Sequence, residues 1–289
     1  MFLKLVRSEK GPFVLALALL FANIPVWQSI VLAERGVLTV AFLDVGQGDA
    51  IFIESPNGNQ VLIDAGSGRP VLRALGRVMP FYDHSIDLVI ATHPDADHIG
   101  GFPEVLERFA IGAVMEPGVS SDTFTYQAFQ ASVGREGARE IFARRGQRVA
   151  LGRSATLEIL FPDRPPQAEW ETNTASIVAR LTYGESEFLF TGDSPIQVEK
   201  YLFGLDGRRL RSRVLKVGHH GSKTSSDPVF LAAVGPDYAV ISAGRGNRYG
   251  HPHPSVLEAL GRLGTRILST ADRGTIVFET DGERLSVLD

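Results

Sequence analysis

The chain of 289 residues contains no cysteine, which excludes disulfides, thiolate metal sites and a cysteine nucleophile, and leaves the redox compartment open. A strong excess of charge is also missing. The formal net charge of -4 gives no global attraction to nucleic acid, so phosphate contacts would fall to local arginines or a bound metal. Histidine is scarce: seven residues, at 84, 93, 98, 219, 220, 251 and 253, with none between His98 and His219. Short-period repeats, low-complexity tracts and an interdomain linker are likewise absent. With 44% hydrophobic and 21% charged residues, the chain has enough apolar matter for one large α/β domain or two modest ones.

Charge is locally absent from Gly11 to Ala33, a stretch preceded by Lys4, Arg7 and Lys10 and followed by Glu34 and Arg35. Such a segment meets a membrane. Its apolar core, Pro12 to Ala22, has the length of a signal-peptide core, with Val31-Leu32-Ala33 as a candidate cleavage site. The whole uncharged span is long enough to cross a bilayer, and the reading adopted is an uncleaved transmembrane anchor over residues 1–35. Under either reading the basic residues hold the amino end in the cytoplasm and place residues 36–289 outside.

What is present after residue 35 alternates between strand and helix signals. Strands are predicted over Val37–Phe42, Ala50–Glu54, Gln60–Ile63 and Ile86–Ala91, with helices over Val71–Arg77 and Phe102–Phe109. A second series has strands near Ala155–Phe161, Ser176–Tyr183, Glu187–Thr191, Arg213–Val217, Tyr238–Ser242 and Thr275–Glu279. Its helices lie near Ile196–Leu202, Pro228–Ala233 and Ser255–Leu263. Two similar halves imply an α/β fold of two facing sheets with helices outside, a four-layer αββα sandwich.

The densest chemistry lies in Thr92-His93-Pro94-Asp95-Ala96-Asp97-His98-Ile99-Gly100-Gly101. Four candidate ligands fall within six positions after a predicted strand, and imidazole with carboxylate oxygen is the donor set that suits Zn, Mn and Fe. Two later strands end similarly. Phe188-Leu189-Phe190 runs into Thr191-Gly192-Asp193, and Val214-Leu215-Lys216-Val217 runs into Gly218-His219-His220-Gly221-Ser222.

The order His93-x-Asp95-x-Asp97-His98, Thr-Gly-Asp193 and His219-His220-Gly-Ser resembles the metallo-β-lactamase superfamily. Four further stretches are similar to the carboxy-terminal domain of the ComEC/Rec2 family of DNA-uptake proteins. They are Phe42 to Ala50 (FLDVGQGDA), Leu62 to Gly66 (LIDAG), Asn173 to Val178 (NTASIV) and Asn247 to Pro252 (NRYGHP). The resemblance covers about Gly36 to Asp289. Family members with the uptake role carry a many-helix channel domain, whereas this chain has one apolar segment and cannot form a channel alone.

The resemblance implies two divalent metal ions. Asp95 stands where the superfamily has a second histidine, and Asn173 stands in the slot of the third imidazole. One position would therefore be held by His93, Asp95 and a bridging Asp193, the other by Asp97, His98, Asp193 and His219. More oxygen favours Mn²⁺ relative to an all-imidazole site, with Zn²⁺ retained by affinity. His220 is the alternative to His219; strand alternation lets one of them point inward, and the family pattern favours the first. Asp95 or Asp193 would take a proton from water, and Asp64 would orient a ligand. His251 or Lys223 would face developing negative charge, with Ser222, Lys223 and Thr224 suited to a phosphate.

The substrate implied is DNA or another phosphodiester. Arginine runs at 135, 139, 144, 145, 148 and 153, and at 208, 209, 211 and 213, either track a phosphate backbone or are solvated faces. Three readings result. The first is an extracytoplasmic, membrane-anchored metal-dependent nuclease acting during DNA uptake. The second is a hydrolase of a small phosphodiester, such as a cell-wall or lipid head group. The third is a non-catalytic subunit of a separately encoded uptake channel.

Overall fold

Successive side chains of the first strand, Leu38–Phe42 (β1), enter different cores, as the two-residue period of extended backbone requires. Leu38, Val40 and Phe42 join a cluster with Phe188, Phe190, Val214 and Phe278. Ala41 instead joins Val71, Leu75, Phe102 and Phe129. The computed structural model describes residues 11–23, 36–152, 155–167 and 169–288, and this alternation organises the whole of its α/β part.

The first sheet contains β1, β2 (Ile51–Glu54), β3 (Gln60–Ile63), β4 (Ser85–Ile90), β5 (Ala110–Glu116) and β6 (Arg139–Phe142). The second contains β7 (Arg148–Ala150), β8 (Thr156–Phe161), β9 (Val178–Tyr183), β10 (Ser186–Phe190), β11 (Val214–Lys216), β12 (Tyr238–Ile241) and β13 (Arg266–Ser269). The last two strands, β14 (Ile276–Thr280) and β15 (Leu285–Leu288), return to the first sheet, giving the order β15-β14-β1-β2-β3-β4-β5-β6. The second sheet runs β13-β12-β11-β10-β9-β8-β7.

The sheets face each other across the first cluster, where Phe42 meets Phe190 at 6.2 Å and Phe278 at 5.8 Å between ring centroids. Fully burying one such side chain contributes about 1.5–3 kcal/mol. On its other face the first sheet is covered by α2 (Pro70–Val78), α4 (Phe102–Arg108) and α5 (Phe124–Glu136), with the short α3 (Ala96–Ile99) before α4. The second sheet is covered by α6 (Ile196–Asp206), α7 (Pro228–Val234) and α8 (Pro254–Arg262), through Val198, Leu202, Phe230, Leu231 and Leu260. The turn of α9 (Thr270–Arg273) leads into β14. These are the four layers expected.

Register puts the candidate residues at one edge. Ile63 pairs with Ile90 in parallel β3 and β4, so Asp64 and Thr92 leave the sheet side by side. Phe190 pairs with Lys216 in parallel β10 and β11, which does the same for Asp193 and the two histidines. Loops at the carboxy ends of parallel strands are where such sheets place their sites.

Several elements lie outside the sequence expectation. The strand β5 and the helix α5 were unassigned, because β5 begins with the small residues Ala110 and Gly112 and α5 buries only Phe129, Ser132 and Val133. At the amino end the described helix is α1 (Gly11–Ala22), 12 residues long. No described helix is long and apolar enough to cross a membrane, and a span of about 20 residues is the usual need. The expected anchor therefore has no membrane-length helix among the described residues; 1–10 and 24–35 lie outside them.

Part of the arginine runs is occupied within the fold. Arg145 makes a two-pronged ion pair with Asp206 and donates to Leu160 O. Arg144 donates to Pro117 O, Arg148 pairs with Glu158, and Arg213 pairs with Asp237. Arg153 is outside the described residues. Arg139, Arg208, Arg209 and Arg211 are exposed.

Candidate metal centre

Asp64, immediately after β3, takes a left-handed conformation (φ 57°) and becomes a latch. Its Oδ1 accepts from Thr92 N at 2.8 Å and its Oδ2 accepts from Thr92 Oγ1 at 2.7 Å. His98 Nδ1 lies 2.7 Å from the same Oδ2. Because a carboxylate only accepts, His98 carries a proton on Nδ1 and turns Nε2 inward. Thr92 Oγ1, whose proton goes to Asp64, accepts in turn from His93 Nδ1 at 3.0 Å. His220 Nδ1 donates to Ser242 O at 2.8 Å. Three imidazoles thus each donate from Nδ1 to a different acceptor, which leaves Nε2 as the atom available to a metal.

Their free Nε2 atoms converge on Asp193. Oδ2 of that carboxylate lies 3.3 Å from His98 Nε2, 3.5 Å from His220 Nε2, 3.7 Å from His219 Nε2 and 4.0 Å from His93 Nε2. His220 Nε2 is also 3.3 Å from Asp97 Oδ2, and His93 Nε2 is 3.7 Å from Asp95 Oδ2. Two sets of donor atoms, His93/His98/Asp193 and Asp97/His98/His220, each lie within 4.8 Å of one another.

Whether these residues fit a metal is decided by what they leave unsatisfied. His93 Nε2, His98 Nε2, His220 Nε2, Asp49 Oδ1 and Asp193 Oδ1 are buried without a hydrogen-bond partner. A buried polar atom without a partner costs about 1–3 kcal/mol. The three imidazole Nε2 atoms among them all turn toward Asp193 Oδ2, an arrangement that fits a divalent cation.

The histidine pair differs from the alternation argument. His219 and His220 are not extended; both adopt left-handed backbone, with φ of 48° and 54°, a conformation uncommon for non-glycine residues. The turn swings both rings toward Asp193. His220 is the buried member, its side chain 2% exposed against 27% for His219. In the second donor set, His220 stands where His219 was expected.

Two residues of the centre were not singled out from the sequence. Lys216, the last residue of β11, has a fully buried side chain. Its Nζ donates to Gly192 O at 2.9 Å, ion-pairs with Asp49 and lies 3.6 Å from Asp193 Oδ1. Lysine is almost never so buried without such partners, and a lone lysine within the apolar Val-Leu-Lys-Val was the available signal. Asp49 sits where its loop packs on the ligand turn: Asp49 N donates to Asp97 O at 3.2 Å. A Cβ on Gly48 would collide with Asp97 O, so glycine is required there.

The electrostatics are mutual. Burial would raise Asp193, but His220, His98 and Lys216 hold it well below the ordinary carboxylate range. Asp97 is lowered in the same way against its burial, through its bond to His220 and the nearby His98. Burial would lower His220, yet Asp193 and Asp49 push it up to about 9. His93 goes the other way, depressed by burial and by His98 beside it. Asp95 is raised by burial.

The remaining predicted residues sit around this centre. Asn173 Oδ1 is buried without a partner, in a short turn (Thr172–Ala175). Ser176 Oγ, next in the chain, accepts from Asp193 N at 3.2 Å, so the turn is tied to the Asp193 backbone. Ser222 Oγ is 2.9 Å from Thr224 Oγ1, and Thr224 Oγ1 is 3.1 Å from His219 Nδ1. Lys223 is exposed, outside the buried cluster. His251 packs edge-on to His219 at 5.7 Å, with a buried Nδ1 that has no partner.

Comparison with known proteins agrees with this geometry. The family model described as the metallo-beta-lactamase superfamily matches residues 43–245. Over 83% of its length the chain is 33% identical to ComE operon protein 3 of Bacillus subtilis, and over 83% it is 32% identical to competence protein ComA of Neisseria gonorrhoeae. It is 30% identical, over 85%, to recombination protein 2 of Haemophilus influenzae. The chain spans about a third of these relatives, 32%, 32% and 29% of their lengths. Among solved structures, CmlA, a diiron β-hydroxylase from Streptomyces venezuelae, superposes with a TM-score of 0.55 at 14% identity, over 87% of this chain and 54% of that one. Tm1679, a metal-dependent hydrolase of the β-lactamase superfamily, gives 0.50 at 13%, over 81% and 95%.

Proposed function

Because the chain belongs to the metallo-β-lactamase superfamily, we propose that it is a binuclear metal-dependent phosphodiesterase, a nuclease that acts on DNA during uptake. CmlA is a diiron hydroxylase on the same architecture, so function is argued from the site rather than the fold. The observation that carries the reading is the convergence of four imidazole Nε2 atoms on Asp193 Oδ2. DNA as substrate is supported by the competence and recombination relatives.

Two divalent ions, Mn²⁺ or Zn²⁺, would supply Lewis acidity and a water of lowered pKa in this centre. His93, His98, His220 and Asp97, with Asp193 between them, would hold the ions; His219 and Asp95 stand at the open side. Asp95 is the candidate proton acceptor: its side chain is 40% exposed and its pKa is raised by burial, toward the range useful to a base near neutrality. Asp193 is committed to the imidazoles and Lys216, which leaves it less suited to that role. Lys223 and His251 are the candidates to face negative charge on a phosphate, with Ser222 and Thr224 bonded to each other on either side of Lys223.

The basic residues before Gly11 favour a membrane-anchored protein with its hydrolase part outside the cell membrane. An uptake channel is the partner this reading implies, by likeness to the competence relatives. Protease added to spheroplasts should digest the hydrolase part; full protection reverses the orientation.

The enzymatic test uses the full chain with Mn²⁺ or Zn²⁺. Bis-p-nitrophenyl phosphate and DNA should both be cleaved, DNA cleavage should fall steeply with salt, and Asp97→Ala should abolish both. Hydrolysis of bis-p-nitrophenyl phosphate with DNA left intact would replace the nuclease by the small-phosphodiester reading. Metal bound with neither substrate cleaved would leave the non-catalytic subunit.

A further inference from the structure

The loop between β12 and α8 carries flat groups that lead from the buried centre to solvent. His219, whose Nε2 is 3.7 Å from Asp193 Oδ2, meets the His251 ring edge-on at 5.7 Å. The Tyr249 ring lies 5.8 Å beyond His251 and nearly parallel to it, at 22°. The Arg248 guanidinium lies over the Tyr249 ring at 5.0 Å from its centroid. Tyr249 is 53% exposed, and its hydroxyl accepts from Arg248 Nη2 at 2.8 Å. Arg248 is itself exposed, so this bond does not tie the tyrosine into the core.

The loop that presents these groups is fixed by Asn247. Its Nδ2 donates to Gly244 O at 3.1 Å and to His251 O at 2.6 Å, while its Oδ1 accepts from Tyr249 N at 3.2 Å and His251 N at 3.0 Å. One side chain thus satisfies four backbone groups and holds Tyr249 in place relative to His251. An exposed aromatic ring on a braced loop loses little freedom when a second ring lies on it.

We propose that Tyr249 and Arg248 form a nucleobase-stacking subsite at the mouth of the metal centre, taking an unpaired base one or two nucleotides from the scissile phosphate. The proposal rests on the phosphodiesterase reading and names how that site recognises its substrate. Every base offers a π face, so stacking tolerates sequence; the base would take the ring face over which the exposed Arg248 guanidinium lies, and the displaced guanidinium would turn to base or phosphate. A base in a duplex has both faces covered by its neighbours. The subsite therefore selects single-stranded over duplex substrate by geometry, without reading base edges.

The test uses the full chain with Mn²⁺ and an oligothymidylate carrying one 2-aminopurine. Binding should quench the 2-aminopurine fluorescence in the wild type and in Tyr249→Phe. Tyr249→Ala should abolish the quench and raise KM for the oligonucleotide roughly tenfold, with a smaller effect on kcat. Tyr249→Leu, which keeps bulk without a flat face, should behave like Tyr249→Ala. The wild type should also prefer the intact oligonucleotide to one with abasic sites, and that preference should shrink in Tyr249→Ala. Normal cleavage with quench and KM unaltered in Tyr249→Ala overturns the subsite alone. A wild type that hydrolyses bis-p-nitrophenyl phosphate but neither binds nor cleaves the oligonucleotide overturns the nuclease reading and the subsite with it.

Discussion

Lys216 Nζ stands 3.6 Å from Asp193 Oδ1, while the other oxygen of that carboxylate, Oδ2, faces the imidazoles. The lysine thereby divides the carboxylate into a half that serves the fold and a half turned toward the candidate metal centre, and it also neutralises part of the charge that Asp49 and Asp193 bring into the core. Both functions follow from one buried ammonium.

Lys216→Met should destabilise the metal-free protein by about 3–5 kcal/mol, the cost of stranding buried carboxylates by removing their partner. Bound metal would supply replacement positive charge, so the loss should be much smaller in the loaded protein. Urea denaturation with and without a chelator measures both values; equal losses in the two states would mean that the lysine acts independently of the metal centre.

The pH dependence of metal uptake should have a definite sign. In the metal-free protein the folded-state pKa of His220 is raised to about 9 from an ordinary 6.5. Its protonation therefore contributes stability that is fully present below pH 6.5 and is lost as pH rises toward 9. A metal must displace that proton, so metal affinity should tighten across the same window. Thermal unfolding between pH 6.5 and 9 should show the stabilisation by metal growing with pH. A metal-induced shift in Tm that is constant over this range would contradict the proton–metal exchange.

Asp64→Asn should weaken metal binding by roughly 10–100-fold without touching a ligand. The amide has one acceptor where the carboxylate has two, and Asp64 now serves Thr92 N, Thr92 Oγ1 and His98 Nδ1 together. Isothermal titration with Mn²⁺ or Zn²⁺ would detect it, and wild-type affinity would show that the latch is dispensable.

Asn173→His should shift preference from Mn²⁺ toward Zn²⁺. An imidazole would replace an amide oxygen that is now buried without a partner, and nitrogen ligands suit zinc better than manganese. Competition between the two ions, read by metal analysis, decides the matter; unchanged selectivity means that position 173 does not reach an ion.

The periodic parts of this chain were legible. The two-residue alternation in β1 and β10 and the glycine-flanked histidines were enough to place two sheets and a metal centre between their strand ends. What escaped depended on conformation or on distant partners. Strand alternation was applied to His219 and His220, yet their left-handed backbone removes the premise that one must point away. Lys216 is unremarked in a row of apolar residues until Asp49, far off in sequence, is placed 167 positions earlier in the same cluster. The arginine runs stayed open between two readings for the same reason, since composition does not reveal that Arg145 is taken by Asp206.

The strand β14 pairs with β1 across the register Leu38↔Thr280 to Phe42↔Ile276. On a ribosome, β1 waits with one edge bare while all the chain between it and β14 is made, because its second neighbour is translated only after that. Exposed strand edges are places where nascent chains associate wrongly. The carboxylates and imidazoles of the centre are all translated before that edge is closed, so metal could reach its ligands before the sheet behind them is complete. A ribosome-stalled chain ending before residue 276 would separate these two events, holding every proposed ligand yet lacking the strand that seals the first sheet.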